Sequence, residues 1–359
     1  MTSSSVRWQP CVNHRPDEIE EFVSSYFGGT NSKILIIAGA GFDPRATSVA
    51  QLLKRHCKSL PDGVFIKEER PNPDPELIKR ANSNLNVLTP CVQHSRVLNV
   101  DVFAPDGAVV GGRSVIKELE SIDFTPYSDV VIDFSALSIG ISFPLVRYIL
   151  VQGEARSRNV HLFACDWPTL DRVIQPQLTE RASNVHGFRK VTELYSTVSV
   201  ARLWLPQLAP SGGPALQRIF DEVLPSDTCP ILPFPSTDPK LSDRLLAEYL
   251  PELESTWSVD TGNLIFADEN DPLGLYRTIL RIDDERKLAF EALGGSLLIL
   301  SPLGSKMLAI GALMAALDRD LPVYYVEARG YEVDWKIAAT VDLSAPSIRH
   351  VWLAGDVYV

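Results

Sequence analysis

Hydrophobic residues recur along the chain in short unbroken runs, each followed by a stretch with helical spacing. Residues 33–38 (KILIIA), 129–134 (DVVIDF), 160–165 (VHLFAC), 296–300 (SLLIL) and 322–327 (PVYYVE) are apolar at nearly every position. That is the pattern of parallel strands buried on both faces. Residues 64–67, 96–103, 197–205, 230–234, 263–267 and 348–353 read as further strands. Between them, apolar spacing predicts helices over 47–56, 75–82, 114–122, 143–152, 214–223, 243–254, 273–292 and 307–317. Residues 166–192 are more polar and are predicted to be helical in part. Proline and glycine punctuate 206–214 and 225–239. Alternation of strand and helix on this scale predicts an α/β fold: two Rossmann-like units with mostly parallel sheets flanked by helices. The expected division is 1–195 and 196–359, and a length of 359 residues accommodates two domains.

Composition narrows the function classes. The chain is 45% hydrophobic and 22% charged, with a net charge of -11. This is a globular composition, and its acidity argues against general nucleic-acid binding. The opening MTSSSVRWQP carries no apolar run, and residues 307–317 form the longest apolar stretch, short of the ~20 residues a spanning helix needs. The expectation is a cytoplasmic protein without membrane contact. Five widely spaced cysteines without a CxxC predict neither a disulfide framework nor a cysteine-based metal site. His161 falls inside a strand and reads as a core histidine; no Ser-His-Asp triad can be assembled.

Two strand-to-helix loops carry the candidate chemistry. The first runs Gly39-Ala40-Gly41-Phe42-Asp43-Pro44-Arg45. Glycines at Gly39 and Gly41 let backbone approach a ligand, the helix start favours an anion, and Arg45 adds a charge-assisted contact. Asp43 serves equally as a helix cap. Glu68 and Glu69 end the next strand, where a ribose-binding acid sits in dinucleotide folds, but Pro44 replaces the third glycine of GxGxxG. The second loop is Ser301-Pro302-Leu303-Gly304-Ser305-Lys306. Gly304 permits close approach, and Ser305 and Lys306 donate to phosphate or carboxylate oxygens; the order is not that of a Walker A loop. Lys306 opens a nearly apolar helix, against the macrodipole unless an anion is bound, although a snorkelling lysine accounts for it too. Asp133 and Ser135, residues 268–271, Arg113, and Glu327, Arg329 and Tyr331 occupy other strand or helix ends.

The strand, Ser-Pro-Leu-Gly-Ser-Lys loop and apolar helix over residues 297–327 resemble the ligand loop of CRISPR-associated Rossmann-fold (CARF) sensor domains. Related SAVED sensors of antiphage signalling fuse two such units, and residues 34–48 are the first-unit counterpart. The resemblance implies that Gly304, Ser305 and Lys306 contact phosphates of a cyclic oligonucleotide, with Asp43 and Arg45 as first-unit candidates. No nuclease, protease or membrane effector is recognisable, so the output would fall to a partner or to the N-terminal unit. Three functions follow. One is a nucleotide sensor or scaffold in antiphage defence that takes a phosphate-bearing small ligand between its two units, with a protein partner or a second copy. Another is a nucleotide-processing glycosidase or transferase using Asp43, Glu68, Glu69 or Asp133, since glycosidic cleavage needs a carboxylate. The third is a purely structural subunit. No metal is expected, and no cofactor beyond a nucleotide ligand.

Overall fold

The computed structural model describes residues 6–29, 32–151, 158–171, 173–191, 200–340 and 347–358. The chain begins β1 (Asn13–His14), α1 (Ile19–Gly29), β2 (Ile34–Gly39), α2 (Ser48–His56), β3 (Asp62–Glu69), α3 (Pro75–Leu88) and β4 (Ser95–Asp101). It continues α4 (Gly111–Leu119), β5 (Asp129–Asp133), α5 (Ile139–Val151), β6 (Asn159–Asp166), α6 (Pro168–Asp171) and β7 (Ile174–Asn184). Next come β8 (Ala201–Pro206), α7 (Gly213–Val223), β9 (Asp227–Thr228), β10 (Ile231–Pro233), α8 (Leu241–Glu248) and β11 (Ile265–Ala267). The last elements are α9 (Pro272–Phe290), β12 (Ser296–Ser301), α10 (Lys306–Arg319), β13 (Tyr324–Val333), α11 (Trp335–Ala338) and β14 (Ser347–Ala354).

The fold is α/β, with mostly parallel sheets flanked by helices. Two compact units are present: residues 1–175 with 330–359 (unit 1), and 176–329 (unit 2). This differs from a division at 195/196. Residues 330–359 return to unit 1 because β14 pairs antiparallel along β6, from Ser347 opposite Asp166 to Ala354 opposite Val160.

Unit 1 holds a seven-stranded sheet in the order β1-β14-β6-β5-β2-β3-β4. The five strands β2 to β6 are parallel, so the order is 3-2-1-4-5 by first appearance. Alternate positions of β2 face opposite sides. Ile34, Ile36 and Ala38 join the core under α1 and α2, with Phe22, Val23, Val49 and Leu53. Leu35 and Ile37 are equally buried on the other side. Burial at both parities is why β2, β5 and β6 read as unbroken apolar runs, while β4 at the sheet edge alternates.

Unit 2 repeats the scheme. β12, β8 and β9 pair in parallel, as do β10 and β11. Parallel bridges Gln207–Ile231 and Leu300–Val323 extend the row from β10 through β8 and β12 to the start of β13. Counting β9 and β10 as one interrupted strand, the order is again 3-2-1-4-5. Within 166–192 the expected helix content is confined to α6, Pro168–Asp171, and most of the stretch is β7, which pairs with β13. Its residues are mostly polar and exposed or half-buried, so pairing rather than an apolar face makes it a strand. The expected helix over 243–254 is observed as α8, which ends at Glu248, followed by a π-helical turn at Glu252–Thr256. Residues 192–199, which include the first three of the expected 197–205 strand, lie outside the described residues.

Candidate functional site

In open α/β sheets the ligand edge lies outside the strand C-termini where the order reverses. In unit 1 that point falls between β2 and β5. Gly39 ends β2, and a Cβ there would lie 3.1 Å from both the Ala136 carbonyl oxygen and Leu137 Cδ2. The glycine lets the β5–α5 loop close down on the strand. Around Gly41 the space is open. The Asn84 amide of α3 fixes the loop from outside, donating to the carbonyls of Gly41 (2.8 Å) and Asp43 (2.9 Å).

Asp43 caps the turn Pro44–Thr47 by accepting from the Arg45 backbone N–H at 2.9 Å. It also takes the Arg45 guanidinium in a fork, with Nε at 3.0 Å and Nη2 at 2.7 Å. Nη1 of Arg45 reaches Asp171 at 2.7 Å. Only 4% of Arg45 is exposed. Burial opposes its charge, and the two carboxylates outweigh that and raise its pKa.

Glu68 accepts from the Ser138 N–H ahead of α5 at 2.8 Å and pairs with Arg70 at 2.7 Å. Its neighbour Glu69 pairs with Lys67 instead, at 3.0 Å. Asp133 is buried and accepts from both the N–H and the hydroxyl of Ser135. The same hydroxyl accepts from the Cys165 N–H at 2.8 Å. Burial pushes the Cys165 thiol up to about 12, and Asp133, Arg45 and Asp43 all act on it electrostatically. Asp43, Arg45 and Asp133 therefore converge near Cys165, and Glu68 reaches the β5–α5 loop. Each already has a protein partner. Cys165 at this pKa is no nucleophile near neutral pH.

One neighbouring group was invisible in the sequence. Phe42 of the first loop packs against Tyr331 and Trp335, with ring centroids 5.2 and 6.3 Å apart. Arg70 lies 5.3 Å above Tyr331 and Arg80 lies 3.8 Å above Trp335. Tyr331 reads from sequence as a strand-end residue, but nothing local pairs it with Phe42.

In unit 2 the order reverses between β8 and β12. The loop after β12 carries Gly304 at φ +78°, and a Cβ there would lie 2.7 Å from Ala209 Cβ. A Cβ on Gly212, in the loop after β8, would lie 2.3 Å from Leu303 Cδ2. The two loops thus meet through their glycines. Ser305 caps α10, accepting from the Leu308 N–H at 3.4 Å and donating to the Glu269 carbonyl at 3.2 Å. Lys306 is half-buried at the first position of α10. The Gln207 amide donates to the Leu308 carbonyl at 3.0 Å, tying the end of β8 to α10. Ser211-Gly212-Gly213 reads in sequence as punctuation only; its position between a buried strand and α7 is the signal that marks it as the counterpart of the Gly39 loop.

The remaining strand-end residues divide by exposure. Glu269 is buried and accepts from the Thr237 N–H at 3.1 Å. Buried Glu327 accepts from the Tyr325 hydroxyl at 3.2 Å. Arg113, Asp268, Asp271 and Arg329 are exposed. Among the described residues, no group of three or more His, Cys, Asp or Glu side chains is placed to hold a metal ion. No helix among them is long and apolar enough to cross a membrane. Gly304→Ala is expected to destabilise unit 2 by about 2 kcal/mol, from the positive φ and the contact with Ala209. Denaturant unfolding checks it, and an unchanged midpoint would show that the loop yields.

No protein-family model and no curated protein matches the chain. Among solved structures, the cytoplasmic domain of a prokaryotic cation chloride cotransporter is similar at 12% identity and a TM-score of 0.25, over 84% of this chain and 96% of that one. A functionally unknown protein from Pseudomonas aeruginosa PAO1 is similar at 11% identity and a TM-score of 0.23, over 85% of this chain and 94% of that one.

Proposed function

We propose that the chain is a cytoplasmic binding protein that takes a phosphate-bearing small molecule at the edge of the unit 2 sheet. Gly304 lets the loop close on Ala209 and turn into α10, Ser305 supplies the helix-capping hydroxyl and Lys306 the charge. The observation that supports this reading is the reversal of strand order between β8 and β12, with a glycine loop on either side. At the same reversal in unit 1, Arg45 is held by Asp43 and Asp171. The CARF resemblance makes a cyclic oligonucleotide, and hence a role in antiphage sensing, the specific form of the reading. Calorimetry on the full chain with cyclic oligonucleotides, mononucleotides and inorganic phosphate tests it. Lys306→Ala is expected to weaken binding about tenfold, or about 1.4 kcal/mol. Absence of binding across the panel, or equal affinity in Lys306→Ala, removes the reading.

A scaffold role is the second reading. It rests on the way the glycine loops close against neighbours, Gly304 on Ala209 and Gly39 on Ala136. Co-expression with genomic neighbours followed by size-exclusion chromatography tests it; a stable monomer that retains no partner counts against it.

A further inference from the structure

Three histidines in unit 1 form a hydrogen-bonded row across neighbouring strands. His14 of β1 and His350 of β14 are directly opposite each other in the ladder. Their Nδ1 atoms are 2.9 Å apart. His350 Nε2 lies 3.0 Å from His161 Nδ1, on β6. His161 Nε2 lies 3.3 Å from Asp129 Oδ1, at the start of β5. His161 and His350 are buried, and His14 is half-buried. Phe22 of α1 stacks on both His14 and His350, with centroids 3.9 and 4.4 Å away.

With all three rings kept neutral by burial, the row admits one arrangement of protons. Asp129 also accepts from the Tyr26 hydroxyl at 2.8 Å and the Ser128 hydroxyl at 2.6 Å. These donors and His161 outweigh burial and keep its carboxyl below the ordinary range. An ionised Asp129 accepts, so His161 Nε2 bears hydrogen and its Nδ1 is bare. His350 Nε2 then donates, its Nδ1 is bare, and His14 donates from Nδ1. All three rings are neutral, and His14 Nε2 is the single ring nitrogen outside the row. A first proton enters there without loss. A second, on His350 Nδ1, would set N–H against N–H across 2.9 Å.

We propose that this row is an acid-sensitive latch: at neutral pH it fastens β1 to β14, and uptake of a proton at His350 unfastens it. Glu18, ahead of α1, acts on His14; Tyr26 of α1 and Cys57 after α2 act on Asp129 at the end of the row, and Asp356 acts on Tyr26. Glu18 favours a charged His14, but burial outweighs it and lowers the His14 pKa. Burial, followed by the neighbouring His161 and His14, holds His350 well below its ordinary value. Burial lowers His161 too, against Asp129. Lowered histidines give stability that is complete above the ordinary histidine range and is lost as pH falls below it. Depressed Asp129 acts only in the carboxylate range, at lower pH.

Hydrogen exchange of the full chain tests the latch. Protection in residues 11–15 and 347–354 is expected to fall about tenfold per pH unit below about pH 6.5 for each proton taken up on release. Residues 129–133 and 296–301 should keep theirs. His14→Phe preserves the stack on Phe22 and removes the colliding N–H, so its β1 protection should be flat with pH. Uniform loss across unit 1, or an unchanged slope in His14→Phe, overturns the proposal. Imidazole nitrogen NMR of the wild type gives an independent check. Hydrogen on Nε2 of His161 and His350 and on Nδ1 of His14 is expected; any other set of tautomers overturns it.

Discussion

Arg45→Ala is expected to destabilise unit 1 by about 3 kcal/mol, because breaking a buried pair strands the charge that remains. The side chain of Asp43 is only 12% exposed, whereas that of Asp171 is 37% exposed and can rehydrate. Most of the loss therefore comes from Asp43, which would still cap the turn Pro44–Thr47. Arg45→Lys should fall between wild type and alanine, since an ammonium cannot reproduce the fork to Asp43. Replacing both members, Arg45→Met with Asp43→Leu, should cost less than Arg45→Ala alone. Chemical denaturation of all three variants checks the order. If Arg45→Ala unfolded at the wild-type midpoint, the guanidinium would be free for another use and the first loop would regain its claim as an anion site.

Gly311→Val should destabilise unit 2 by about 3 kcal/mol, the upper part of the range for overpacking. Gly311 lies in the buried middle of α10, where a Cβ would sit 2.5 Å from the Pro272 carbonyl oxygen and 3.1 Å from Leu275 Cβ. The obstacle is backbone at the start of α9, so no rotamer change relieves it. The two helices would have to part, disturbing α10 just behind Lys306. Gly311→Ala should show a smaller loss of the same sign. Thermal and denaturant unfolding give the magnitude, and a valine variant as stable as wild type would show that α9 shifts freely.

β2, β5 and β6 were legible because they are buried at both parities, whereas β4 at the sheet edge was read from its alternation. β7 was not legible: its residues are polar, and only its partner strand makes it extended. The return of residues 330–359 to unit 1 was hidden for a related reason, since the pairing of β14 with β6 has no local signature. For the site, glycine spacing located both reversal points. The same glycines turn out to accommodate neighbouring loops, Gly39 against Ala136 and Gly304 against Ala209. Arg45 was visible as a basic residue at a helix start, but its second partner, Asp171, comes from across the fold. His161 was readable as a buried histidine. Its row with His14 and His350 depends on strand order, which no spacing along the chain reveals.

Placing β14 after the whole of unit 2 imposes a schedule on synthesis. As the chain leaves the ribosome, residues 34–166 can assemble the parallel part of the first sheet, but the outer edge of β6 has no strand to pair with until residues 347–354 appear. At ~5–20 residues per second that interval is on the order of 10 s or more. Unit 2, residues 176–329, is complete before it ends. The nascent protein thus carries a finished second unit beside a first sheet with a bare, apolar edge, the kind of surface that chaperones hold and that other strands invade.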